Sequence, residues 1–220
     1  MTAKEPHTQF PLWIELSGLP GHLLAKTKSP VAWAVFKKIV ELDCDKNHVP
    51  GTVEITIAEL EARSGVAAKA IHKAIEALRK QKLLAAFIPE SDEEPALFQI
   101  RNPLTAPQSH EQLAKHYPHL FSPTEEVRYG PTLAPEALAK QESELQQIVD
   151  LYFDAVGLKM NVFILDELRL LRQRFPFDEI RKTFHRAKVN EIRSLRWVFQ
   201  ELLKRQKPET DDDTLEKSFK

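Results

Sequence analysis

The stretch that decides the fold runs from Leu60 to Leu84 and reads LEARSGVAAKAIHKAIEALRKQKLL. Its apolar residues recur at intervals of three and four on both sides of Gly65, which is typical of two amphipathic helices. Because glycine reaches positive φ without a Cβ penalty, Gly65 can form a tight turn between them. We therefore expect a short helix over 58–64 and a longer one over 67–82.

The segments around this helix pair predict the rest of one domain. VAWAVFKKIVEL (31–42) predicts a buried helix, and TVEITI (52–57) alternates like a strand. Two apolar runs, 83–88 and 96–100, flank the acidic turn PESDEEP and predict a hairpin. Helix, strand, two helices and a hairpin are the element order of a winged helix-turn-helix, which we place at 24–104.

An N-terminal arm, 1–23, precedes this predicted domain. It contains the apolar stretch FPLWIEL, with Trp13 and Ile14 at its centre. Three roles for these residues stay open from the sequence: they extend the domain's sheet, form a dimer contact, or pack as an ordinary arm.

A proline-rich connector, 105–133, follows the predicted winged domain. Six of the fifteen prolines of the chain lie between 103 and 135, and no long helical pattern persists there. Apolar residues over 110–121 have roughly helical spacing that Pro118 would end. We therefore expect part of the connector to dock rather than float.

The second half of the chain predicts a small four-helix domain at 134–207. Its apolar spacing favours helices over 135–156, 161–174, 178–189 and 194–206. The tail 208–220 is polar and acidic, which is typical of disorder. The expected fold class is mainly α: an N-terminal winged helix-turn-helix domain plus a small C-terminal helical domain.

Composition excludes several classes of function. The chain has 31 Lys and Arg against 32 Asp and Glu, so a net charge of -1 gives no bulk attraction to polyanions. A single cysteine, Cys44, excludes a disulfide framework and a multi-thiolate zinc site. No apolar run is long enough for a membrane span, no secretory leader is visible, and the short motifs of nucleotide binding and hydrolysis are missing. We expect a cytoplasmic, non-enzymatic protein without cofactor or metal.

One acidic segment imitates part of a calcium loop. Asp43, Asp45, Asn47 and Glu54 occupy the first, third, fifth and twelfth positions of such a loop. The sixth position requires glycine for its sharp turn but is His48, so calcium is not expected.

Positive charge is concentrated between 181 and 207. Nine Lys and Arg there face only Glu191 and Glu201, a balance of nine minus two, or +7. Phosphates that neutralise such cations release counterions, which favours nucleic-acid binding. Trp197 and His185 lie among the cations and could stack on unpaired bases. The alternative is that Trp197 belongs to the core and that the arginines pair with acids elsewhere.

A second cationic stripe runs along the predicted helix 67–82. If this helix is the recognition helix of the winged domain, the stripe would contact duplex DNA. Glu76 would repel phosphate, however, and the start of the helix offers mainly alanines, which cannot hydrogen-bond to base edges. Direct duplex contact and protein interaction therefore both stay open for it. The candidate DNA-binding residues of the two regions are Lys69, His72, Lys73, Lys80, Arg181, Lys182, His185, Arg186, Lys188, Arg193, Arg196, Trp197, Lys204 and Arg205.

A winged helix, a connector and a helical domain ending in VNEIRSLRWVFQELLKRQ (189–206) resemble the DnaD/DnaB family of primosome and phage replication proteins. That family closes its second domain with the pattern Tyr-x-x-x-Ile-x-x-x-Trp, and Trp197, Glu201 and Arg205 occupy those positions here. The resemblance implies a self-associating winged domain and a helical domain that binds DNA and contacts the replicative helicase.

The sequence thus favours a DNA-binding scaffold of replication initiation or the primosome. Its expected partners are single-stranded or duplex DNA, a replicative helicase or other replication protein, and further copies of the chain. Two alternatives are a winged-helix transcriptional regulator and an adaptor that binds only protein.

Overall fold

A computed structural model describes residues 10–45, 51–121, 129, 135–157 and 159–206. Over these residues the chain is mainly helical with one small three-stranded sheet, which confirms the mainly-α prediction. No helix among them is both long enough and apolar enough to cross a membrane.

The first half of the chain alternates helices with the strands of the sheet. Its elements are α1 (Leu12–Leu16), α2 (Leu19–Thr27), α3 (Val31–Asp43), β1 (Val53–Thr56), α4 (Ile57–Ser64), α5 (Ala68–Lys80), β2 (Leu84–Phe87), β3 (Pro95–Ile100) and α6 (His110–His116). The sheet is antiparallel in the order β1-β3-β2. Gly65 ends α4 at φ 68°, so the predicted turn between the two helices is confirmed.

Helices α1 and α2 were not predicted. Gly18, at φ 78°, separates them and allows the chain to reverse. Trp13 and Ile14 lie in α1 and are buried in the protein's own core. They therefore pack as an ordinary arm and do not extend the sheet.

The first core lies between α3, α5 and the inner face of the sheet. Cross-strand partners Ala86 and Phe98 point into it from β2 and β3. Part of the predicted connector closes the same core, since Leu113 of α6 and Phe121 are buried there. Helix α6 ends before Pro118 and begins with a capping box. The docking that we expected of the connector is therefore present.

A buried hydrogen bond fastens the connector to the end of α3. The Tyr129 hydroxyl donates to Asp43 Oδ2 at 2.5 Å, and the Gly51 amide donates to Asp43 Oδ1 at 3.0 Å. Burial and then the neighbouring Asp43 carboxylate raise the pKa of Tyr129 well above its usual range. The first acidic residue of the calcium-like segment thus has a structural use, and the described residues contain no cluster of three or more potential metal ligands.

The second half is all helical. Its elements are α7 (Pro135–Ala155), α8 (Val162–Arg174), α9 (Phe177–Val189) and α10 (Leu195–Gln206). Asn161 caps α8 by accepting from the Ile164 amide at 2.9 Å. The Ser194 hydroxyl accepts from the Trp197 amide at 3.2 Å, which confirms the predicted cap of α10. Lys207 and the tail 208–220 lie outside the described residues.

The second core does not consist of these four helices alone. Cross-strand partners Phe87 and Leu97 point from the outer face of the sheet into it. The Phe87 ring stacks on Phe199 of α10, with centroids 4.2 Å apart and planes 7° from parallel. Both faces of the hairpin are therefore buried, one in each core.

Ion pairs surround this contact between the halves. Arg79 of α5 pairs with Glu167 of α8 at 3.0 Å, and Arg174 of α8 pairs with Glu54 of β1 at 3.0 Å. Arg101 pairs with Asp166, a carboxylate that is only 2% exposed. Burial raises the pKa of Glu167, and the Arg79 guanidinium opposes that shift. The two halves are thus joined by apolar packing with a charged border.

Candidate nucleic-acid interface

The candidate stripe on α5 is partly occupied by the protein itself. Lys69, Lys73 and Lys80 are exposed. His72 Nε2, however, lies 2.8 Å from Asp92 Oδ1 in the acidic turn between β2 and β3. The stripe therefore has a carboxylate neighbour at His72, while its three lysines remain exposed to solvent.

The acidic turn is held between α4, α5 and α10. The Ala58 backbone amide donates to the Asp92 carbonyl at 3.1 Å, and Nε2 of the Gln200 side chain donates to Glu94 Oε2 at 2.8 Å. Arg196 of α10 pairs with Glu90 of the same turn. Asp92 is thus the carboxylate of this turn that contacts α5, whereas Glu90 and Glu94 contact α10. A carboxylate beside His72 opposes the approach of a phosphate backbone to this part of α5.

Helix α9 presents its candidates differently. Arg181, Lys182, His185 and Lys188 line one groove of about 630 Å³ between α7 and α9. Apolar side chains form its floor, and the remaining lining residues stand at its edge. The floor consists of Leu151, Ala155 and Phe184, and the edge adds Asp154 and Val189. Four predicted site residues therefore converge on one concave surface.

Five cations of residues 181–207, which we call the basic segment, form ion pairs with acids. These pairs are Arg181–Asp178 at 3.0 Å, Arg186–Glu201 at 2.8 Å, Lys188–Asp154 at 2.7 Å, Arg205–Glu201 at 3.6 Å, and Arg196–Glu90. Glu201 is already counted in the +7, and three acids from outside the segment, Asp178, Asp154 and Glu90, reduce that excess by three, to +4. The alternative interpretation, in which the arginines pair with acids elsewhere, therefore holds for part of the segment. Three exposed cations form no ion pair within the described residues: Lys182, Arg193 and Lys204.

Trp197 lies at the edge of the second core. Its side chain is partly buried against the second core. The Arg186 guanidinium carbon lies 5.8 Å from the centroid of the indole ring, in a cation–π arrangement. Glu201, at the second position of the family pattern, holds Arg186 and Arg205 in place of an apolar contact. Trp197 is therefore partly covered and does not line the groove of α9.

The half of the groove contributed by α7 was missed from the sequence. The sequence predicts Leu151, Asp154 and Ala155 only as part of a long amphipathic helix. Their pattern indicates which face of α7 is apolar, but it does not indicate that this face borders α9. The pairing of Asp154 with Lys188, 34 residues later, also has no local signal.

The chain matches no family model, no curated protein and no solved structure in the three comparisons made with known proteins. The resemblance of 189–206 to the DnaD/DnaB family therefore stays a prediction.

Proposed function

We propose that this protein binds nucleic acid through the α7–α9 groove and acts as a non-enzymatic scaffold. The observation that carries the proposal is the convergence of Arg181, Lys182, His185 and Lys188 on one groove. The pair that holds Arg181 is exposed, so it contributes little free energy and can exchange for phosphate.

The charge of the groove favours a polyanion. Three cations and one carboxylate line it, so its formal charge is three minus one, or +2, with histidine neutral. Arg193 and Lys204, exposed elsewhere in the second half, are further candidates for phosphate contact. Each phosphate neutralised would release counterions, which makes the expected affinity dependent on salt.

The first half supports a different role in this proposal. The order α3, β1, α4, α5, β2, β3 is that of a winged helix-turn-helix, which we propose as its fold. Because the Asp92 carboxylate contacts His72 in the α5 stripe, we assign this half to self-association and protein contacts rather than to duplex DNA. A role in replication, a helicase partner and a cytoplasmic location rest on the DnaD/DnaB resemblance and on composition.

One observation favours an adaptor that binds only protein as the second candidate. Five cations of the basic segment already have acidic partners, so the charge excess alone does not require a polyanion. The transcriptional-regulator alternative is less favoured, because it needs α5 and the hairpin turn free to contact duplex DNA. Asp92 of that turn instead contacts His72 of α5 and accepts from the Ala58 amide of α4.

The test uses the full chain and fluorescein-labelled DNA, with anisotropy measured at two salt concentrations. Replacing Arg181 and Lys182 together by Ala should weaken binding and lower the salt slope by about one unit for each lost phosphate contact. The matched control replaces Lys69 and Lys73, two exposed lysines of α5, in the same way. Absence of salt-dependent binding, or a loss confined to the α5 variant, would contradict the proposal.

A further inference from the structure

We infer that the α7–α9 groove receives an unpaired base, so that single-stranded nucleic acid is the preferred ligand. This inference rests on the proposed function and specifies the form of nucleic acid that the same groove takes. Its starting point is that the groove combines an apolar floor with a cationic rim.

The floor is suited to the flat face of a base. Phe184 is completely buried and supports the floor from beneath, so Leu151, which is partly exposed, supplies most of the accessible apolar surface there, with a small part of Ala155. Val189, 67% exposed, extends the apolar surface to the edge of the groove. Every base has an apolar face, so such a floor accepts bases without reading their sequence.

The shape of the groove separates an unpaired base from a duplex. The groove is open to solvent on one side, and its volume of about 630 Å³ leaves room for a single base. In a duplex the bases are stacked inside, so only phosphates reach a concave site unless a base is flipped out. A single strand can instead insert a base and leave its flanking phosphates outside.

The rim can hold those phosphates. Lys182 is exposed and forms no ion pair among the described residues, and Arg181 stands beside it in the chain. Asp154 is the one carboxylate among the residues that line this groove, and both of its oxygens accept from Lys188 Nζ at 2.7 Å. Its charge is thus compensated, and the net attraction at the rim is toward an anion.

The experiment measures the affinity of the full chain for three labelled ligands of about 20 nucleotides at one salt concentration. The ligands are a mixed-sequence single strand, the corresponding duplex, and a strand of the same length built from abasic sites. The ordinary strand should bind roughly fivefold or more tighter than the abasic strand, because base stacking is lost only in the latter. It should also bind more tightly than the duplex.

Variants of the groove edge test where the base sits. Val189→Ser should reduce the preference for the ordinary over the abasic strand, whereas Val162→Ser should leave it unchanged. Val162 of α8 is a matched control, since it is 62% exposed and does not line the groove. Thermal melting of both variants checks that neither loses its fold.

The outcomes distinguish this inference from the proposed function. Equal binding of the ordinary and abasic strands, still weakened by changing Arg181 and Lys182, would overturn the base site and keep nucleic-acid binding. Tighter binding of the duplex, or equal effects of Val189→Ser and Val162→Ser, would also overturn it. If no nucleic acid binds and an acidic peptide occupies the groove instead, both proposals fail.

Discussion

The two halves of the molecule differ in how their cores are closed. The first core is completed by its own neighbours in the chain, from Trp13 in α1 to Phe121 after α6. The second core requires Phe87 and Leu97, which come from the hairpin of the first half. The helical half therefore depends on the sheet for its apolar packing, and the two predicted domains share one structural element.

The charged surfaces show the same difference. The acidic turn places Asp92 against His72 of α5, whereas α9 directs four of its candidate residues around a groove. Similar cation spacing on two helices thus leads to different surfaces, because the neighbouring elements differ.

The largest predicted effect breaks the contact between the halves. Phe199→Ala removes the ring that stacks on Phe87 and should lower the free energy of unfolding by about 3–5 kcal/mol. Phe153→Ala is the control, since Phe153 is 38% exposed and should cost about 1 kcal/mol or less. Urea denaturation followed by circular dichroism measures both. Equal costs would mean that the stacked pair does not hold the halves together.

The next effect concerns the charged border of that contact. Asp166→Ala leaves the Arg101 guanidinium, itself mostly buried, without its carboxylate and should cost about 2–3 kcal/mol. Asp178→Ala removes the partner of Arg181 from an exposed pair and should cost no more than about 0.5 kcal/mol. The same denaturation measurement applies, and a small cost for Asp166→Ala would assign the joining of the halves to apolar packing alone.

A smaller effect tests how the connector closes the first core. Tyr129→Phe removes the donor to Asp43 Oδ2 and should cost about 1.5–2 kcal/mol, whereas Tyr117→Phe, at an exposed tyrosine, should cost almost nothing. Burial raises the pKa of Tyr129 in the folded protein, so its contribution is present below about pH 10 and is lost as the pH rises further. The unsubstituted protein should therefore lose stability more steeply above that pH than Tyr129→Phe does.

The smallest effect on stability separates structure from binding on α9. Arg181→Gln breaks an exposed pair with Asp178 and should change the free energy of unfolding by no more than about 0.5 kcal/mol, while weakening DNA binding. Arg63→Gln is matched to it, because Arg63 forms a similar exposed pair with Glu59 on α4. Melting curves should coincide for the two variants, and only Arg181→Gln should change anisotropy. A loss of binding in both would remove the distinction between the halves.

Local chemistry made most helices and strands predictable. The turn at Gly65, the cap at Ser194 and the end of α6 before Pro118 each depend on residues only a few positions apart. Helices α1 and α2 escaped prediction because they are short, and Pro20 and Gly21 in the first turn of α2 weaken the helical pattern.

The sequence by itself determined every helix and strand from α3 onward, the apolar faces of those helices and the concentration of charge in 181–207, because these follow from periodicity and composition. Only the tertiary structure decided which apolar faces meet and which charges pair. The continuous apolar run of β2 indicates burial on both faces, but nothing local identifies Phe199, 112 positions after Phe87, as its partner. The groove likewise exists only because α7 and α9 pack side by side and leave a space between them, and such a space is a property of two surfaces rather than of either sequence segment.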